Sequence, residues 1–238
     1  MGSGTAEDAL AEYLEDIPQD LAVYFEQIAD GSLSNAEDIG LNLLLPGEVA
    51  EQTRRFRGFH PVVQSLGGVV LDDGNTSNHH VYLSEPPFAG TVLFLDHGGD
   101  SRVVYPSIAG FLEAASQAKK QGVWLADLHP EDPVLPEDQE SLSALASGLL
   151  DAYDEAGDTT MVLTSIIPSM DLRDIDLLGR LAAHDDFYLG EAVANEVRKR
   201  PSPELAPIIR LCCEHPHSQV SNAGKAAKSA LRRQAMKP

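Results

Sequence analysis

Cysteine is nearly absent from this 238-residue chain, which carries only Cys212 and Cys213. Neighbours in sequence cannot close an unstrained disulfide, so a cross-linked scaffold is excluded and a reducing compartment is expected. Without a Cys-x-x-Cys spacing or a second pair, both thiols read as buried groups on a helix face and not as a metal or redox centre. Long apolar runs are missing too: stretches such as residues 91–95 are strand-sized, against the roughly 18 apolar residues that mark a membrane helix. Residues 2–9 have neither the basic start nor the apolar middle of a signal peptide, which makes a soluble, cytoplasmic protein the expectation. Cations are also scarce. Seventeen Lys and Arg stand against 37 Asp and Glu, a net charge of −20, which disfavours nucleic acid and anionic membranes and speeds encounter with basic partners.

The motifs of common chemistries are missing as well. There is no G-x-x-x-x-G-K-[ST] loop, and Gly67-Gly68 and Gly98-Gly99 fall in turns between strands, so nucleotide hydrolysis has no support. Acyl transfer lacks both a G-x-S-x-G elbow and a cysteine matched to a histidine. Asp72-Asp73-Gly74-Asn75 lacks the ligand ladder of a calcium loop and reads as a turn. His79, His80 and His97, with Asp96 and Asp100, border neighbouring strands. Adjacent strand residues point to opposite faces, however, so at most one of His79 and His80 can join a metal site. Asp96 and Asp100 flank a Gly-Gly turn, where carboxylates commonly bond the backbone. No catalytic residue, cofactor or metal is expected.

What the chain does hold is enough apolar residues, 43%, to bury a core. Its charge is divided: residues 1–160 carry 28 acids and 6 bases, a net of −22, whereas residues 161–238 carry 9 and 11, a net of +2. The acidic part begins with helices. Thr5 and Asp8 resemble a capping pair before Leu10 and Leu14. Pro18 opens a second helix whose Leu21, Tyr24, Phe25 and Ile28 repeat at three and four, and Asp30-Gly31 stops it. A third runs from Pro46 to about Phe56, with Arg54, Arg55 and Arg57 as the one basic cluster of this half. From Gly67 the period changes to four short strands joined by tight turns, an antiparallel meander ending near Tyr105. Ser107 then opens a helix with Ile108, Phe111, Leu112 and Ala115 on one face, which closes an α+β domain.

Pro130, Pro133 and Pro136 among acids mark a stiff linker or covering loop over residues 128–136. Beyond it helices are expected over residues 137–156, 172–184, 187–200, 203–214 and 218–234. Leu181-Ala182-Ala183-His184 lines up with Leu211-Cys212-Cys213 and His215, and Leu189 and Ala192 line up with Val220 and Ala223, at offsets of 30 and 31. That spacing suits stacked helical hairpins of the HEAT type. The expected organisation is thus an α+β domain over 1–127, a linker over 128–136 and a HEAT-like helical module over 137–238.

Some stretches resemble the SUKH superfamily, the Smi/Knr-type regulators and bacterial immunity proteins. Ile17-Pro18, Tyr24-Phe25 and Asp30-Gly31 resemble its early proline, aromatic pair and Asn-Gly helix end, with Asp in place of Asn. The run from Val81 through Gly90 to Leu95 and His97, then Ser107 to Phe111-Leu112, resembles its two strands and Ser-Phe-x-x-Phe-Leu ending, from which Ala109-Gly110 departs. The resemblance covers roughly residues 17–116 and implies a SUKH-like α+β fold, no catalysis and, as in bacterial immunity proteins, neutralisation of a toxin by binding it. With the charge, it makes a basic toxin domain the expected partner. Asp72, Asp73, Asp96 and Asp100, carried on turns at one end of the sheet, are the expected contact rim. The competing expectation is a scaffold or adaptor that docks partners through its C-terminal helices.

Overall fold

The two periodicities, about two and about 3.6, become strands and helices of an α+β structure in a computed structural model that describes residues 6–153 and 157–236. Two compact units divide the chain, residues 1–136 and 137–238.

In the first unit, α1 (Ala6–Leu10) buries Leu10, while the expected cap Thr5 lies outside the described residues. Helix α2 (Gln19–Ile28) buries the residues that its spacing places on one face: Leu21, Tyr24, Phe25 and Ile28. Helix α3 (Pro46–Arg57) starts at a proline, which needs no N–H partner, and the Glu48 carboxylate accepts the Leu45 N–H at 2.8 Å. A short α4 (Pro61–Ser65), unread in the sequence, follows.

Strands β1 (Gly68–Val70), β2 (His79–Leu83), β3 (Val92–Leu95) and β4 (Arg102–Tyr105) form an antiparallel meander in that order. Its register sets Val69 opposite Tyr82, His80 opposite Phe94 and Leu93 opposite Val103. One face, with Val69, Leu71, Tyr82 and Val104, shares a single buried core with α2 and α5 (Ile108–Gln121). Ser107 caps α5 by accepting the Gly110 N–H, and Gly122 ends it at φ 65°, which a side chain would resist. The Tyr24 hydroxyl donates to the Leu71 carbonyl at 2.6 Å and so fastens α2 to the end of β1. Helix α3 closes the outer edge of β1: the Val70 N–H donates to Thr53 Oγ1 at 3.0 Å, and Arg57 Nε donates to the Gly68 carbonyl at 3.1 Å. That edge therefore offers no open ladder at these positions.

The second unit is helical: α6 (Gln139–Asp151), α7 (Asp158–Ile166), α8 (Ile175–Ala182), α9 (Phe187–Lys199), α10 (Ala206–Glu214) and α11 (Ser218–Ala235). Helix α7 was not expected, and α6 stops at Asp151 before the expected end at Ala156, which lies outside the described residues. Helix α8 begins later than expected because Leu172 takes a left-handed φ of 64° and Asp174 caps the helix, accepting the Leu177 N–H at 3.0 Å. Helix α9 packs on α11 and α8 on α10. A Cβ at Gly224 would come within 2.6 Å of the Cys213 backbone, so that helix contact needs glycine, whereas one at Gly190 would sit 3.0 Å from the Val220 side chain, which would have to give way. The turns before α9 and α11 match at an offset of 31: Asp186 N–H donates to His184 Nδ1, and His217 N–H to His215 Nδ1. Cys212 is buried, with its thiol pushed up to about 12 by burial and then by Cys213, which is itself half-buried. No described helix is long and apolar enough to cross a membrane.

Candidate functional site

Three segments meet at one end of the sheet: the C-terminal part of α3, the β1–β2 connection and the β3–β4 connection. His97 N–H donates to Asn78 Oδ1 at 2.8 Å, which ties the two connections, and Gln52 Nε2 donates to Asp73 Oδ2 at 2.9 Å, which ties the first of them to α3. Between them lies a pocket of about 320 Å³. Arg55, Phe56, Phe59 and His60 line it from the α3 side. Asp73, Thr76, Ser77 and His79 line it from the first connection and β2, and Leu95, Asp96 and His97 from the end of β3.

The pocket's walls follow from β geometry. His79 and His80 begin β2 and face opposite sides of the sheet, as alternation requires. His79 packs edge-on against Phe56 of α3, ring centres 4.6 Å apart, and its Nδ1 donates to the Asp72 carbonyl at 2.9 Å. His60 is held below its usual pKa range by burial and then by His79, so its ring is neutral near pH 7. Its Nδ1 is buried without a hydrogen-bond partner among the described residues. Phe59 stands 59% exposed beside Phe56, ring centres 5.2 Å apart.

On the other face His80 anchors a buried chain of polar groups. Asp72 Oδ1 accepts the His80 backbone N–H at 2.6 Å, and Oδ2 accepts its Nδ1–H at 2.5 Å. His80 Nε2 meets His129 Nε2 at 2.8 Å, so those two rings share one proton between them. His129 packs edge-on against Phe94 and Tyr105, and its pKa is pushed down to about 3 by burial, then by His80 and Arg102. Arg102 donates to the Pro130 carbonyl at 2.8 Å. The start of the proline-rich stretch is thereby fastened to β2 and β4. An Asp–His pair resembles half of a hydrolase triad, but here the outer imidazole nitrogen is bound by a second histidine and its side chain is 3% exposed.

The expected acidic rim is only partly present. Asp72 must be struck from it: at 2% exposure, its carboxylate holds His80 and cannot meet a partner. Asp73 and Asp96 do converge, on the pocket, while Asp100 is exposed on the far side of the Gly98-Gly99 turn and does not line it. Asp96 also plays the backbone-bonding role expected of a turn acid, its Oδ2 accepting the Asp100 N–H at 3.1 Å. Among the described residues no group of three His, Cys, Asp or Glu is placed to hold a metal ion. Sequence reasoning missed Phe59, His60 and His129 and read Arg55 only as part of a basic cluster. Nothing in local periodicity links residue 60 to 79 and 97, or 129 to 80, because each pairing depends on how elements fold over the sheet.

No protein-family model matches this chain, and neither a curated protein nor a solved structure matches it.

Proposed function

We propose that this chain is a non-enzymatic protein-binding protein whose first unit receives a basic partner, in the manner of an immunity protein that neutralises a toxin domain. The observation that carries the reading is the convergence of Asp73 and Asp96, from two separate connections, on one open pocket. They belong to a unit whose residues 1–136 hold 21 acids and 6 bases. The resemblance to SUKH proteins over residues 17–116 adds to it, as does the order helices, meander, closing helix. The paired packing of α8 with α10 and α9 with α11 supports a HEAT-like second module.

A second reading, an adaptor that docks partners on its C-terminal helices, is favoured by the exposed apolar side chains Tyr188 and Leu211 on α9 and α10. One experiment separates the two. The tagged protein is cross-linked in its own host, and what co-purifies at low and at high salt is identified by mass spectrometry. That partner is then tested against Asp73→Asn/Asp96→Asn and against Tyr188→Ala/Leu211→Ala. A basic toxin-like polypeptide, lost as salt rises and lost in the aspartate variant, supports the first reading, because steered association weakens with screening. Salt-resistant partners lost only in the Tyr188/Leu211 variant overturn it in favour of the adaptor.

A further inference from the structure

We infer that the pocket takes a guanidinium group, the side chain of an arginine on a basic polypeptide, held between Asp73, Asp96 and the face of Phe59. This inference rests on the reading of the first unit as a surface for a basic partner, and it names the chemical group that this surface recognises. At about 320 Å³ the pocket lies at the lower edge of the roughly 300–1,000 Å³ range of ligand sites, which suits one side chain better than a larger molecule.

The lining selects the charge of the occupant. Two carboxylates stand against the single guanidinium of Arg55, so the lining favours a cation over an anion. The free hydrogen-bonding capacity is weighted toward acceptors. Asp73 keeps lone pairs on both oxygens, since Oδ2 accepts Gln52 Nε2–H and Oδ1 accepts the Asn75 N–H. Asp96 Oδ2 is engaged only by the Asp100 N–H of its own turn, while His60 Nδ1, donor or acceptor by tautomer, is without a partner among the described residues. An acceptor-rich cleft with an exposed phenyl ring at its rim matches a planar cation with five N–H donors that also stacks on aromatic faces. A lysine ammonium, with three donors at one point and no planar face, satisfies fewer of these acceptors. Arg55 is the resident competitor, exposed at the rim and of the same charge as the incoming group.

The test uses the full-length protein and three tripeptides, acetyl-Gly-X-Gly-amide with X as arginine, lysine or citrulline, the last a neutral near-isostere of arginine. Imidazole signals are followed by NMR at about pH 7.5, where ordinary histidines are neutral. The arginine peptide is expected to shift His79 and His97 while the citrulline peptide binds at least about tenfold more weakly. Asp96→Asn and Phe59→Ala, both at positions outside the core, are expected to weaken the arginine response, and Arg55→Ala to strengthen it. Equal responses to arginine and citrulline, or pocket histidines unmoved by arginine, overturn the inference. The two proposals fail separately. A basic partner captured through Asp73 and Asp96 while the arginine peptide leaves the histidines unmoved sinks the guanidinium site and leaves the protein-binding reading standing. Arginine binding in a chain that captures no basic partner does the reverse.

Discussion

Four aspartates of similar appearance in the sequence occupy three different environments. Asp72 is buried and bonds both the backbone and the ring of His80, Asp73 and Asp96 line a pocket, and Asp100 is exposed. Local sequence shows that all four stand beside turns but not which way each carboxylate points. For Asp72 the direction is set by the Leu43–Asp72 bridge and by the alternation that turns His80 inward. The stability consequences differ accordingly. Asp72→Ala leaves a buried imidazole and a buried N–H without their acceptor and is expected to cost about 1–3 kcal/mol for each buried donor left unsatisfied. Asp100→Ala, on the surface, is expected to fall within about 0.5 kcal/mol of the parent. Urea denaturation of both variants checks the contrast, and an equal, small effect of the two would contradict the buried assignment of Asp72.

At the scale of elements, legibility followed the strength of local signals. Helix α3 ends within one residue of its expected place, and the four-strand meander begins just after Gly67 and ends at Tyr105 as expected, because proline, glycine and period changes mark these limits. Helix α7 escaped notice because Thr159, Thr160, Val162, Thr164 and Ile166 are β-branched, with weak helix propensity, and only the burial of Thr160, Val162, Leu163 and Ile166 makes a helix of them. The stretch after Leu128 was legible as stiff, but its fastening through His129 was not. That fastening makes it sensitive to acid. The groups facing His129 are His80 of β2, Phe94 of β3, and Arg102 and Tyr105 of β4, with Asp72 behind His80. Folding holds His129 neutral down to about pH 3, whereas the unfolded chain takes up the proton near the ordinary 6.5. The unfolded state therefore binds more protons between those values, so this contribution is full above about pH 6.5 and declines as pH falls toward 3. His129→Gln, which can still bond His80 but cannot titrate, is expected to lie below the parent in stability at pH 7.5. The gap should narrow by at most about 1.4 kcal/mol per pH unit below 6.5. Denaturation series at successive pH values read this directly, and parallel curves for the two proteins would exclude His129 as the acid-sensitive group.

For the whole molecule the decisive quantity is charge and where it lies. The division after Pro136 separates a unit of 21 acids and 6 bases from one of 16 and 11. Composition alone shows the asymmetry. Among the described residues the lysine and arginine ion pairs, Arg173–Asp171, Arg180–Asp151, Lys199–Glu196 and Arg200–Glu196, belong to the second unit. In the first unit the acids Glu12, Glu15, Asp16, Glu26, Glu37 and Asp38 are all exposed, so they act on one another mainly as a repulsive field through solvent. Salt acts on the two kinds of interaction in opposite directions. It weakens exposed pairs, each worth about 0–1 kcal/mol, and it relieves repulsion among like charges spaced within the screening length of about 10 Å at 0.1 M. With a net charge of −20 the relief outweighs the loss. The free protein is therefore expected to melt at a higher temperature when sodium chloride is raised from about 0.01 M to about 0.15 M, the same interval over which binding of a basic partner should weaken. Calorimetry on the free protein reads the first effect with no partner present. A melting temperature that fell with salt would mean that local pairing dominates the surface, and the long-range attraction proposed for a basic partner would then lack its source.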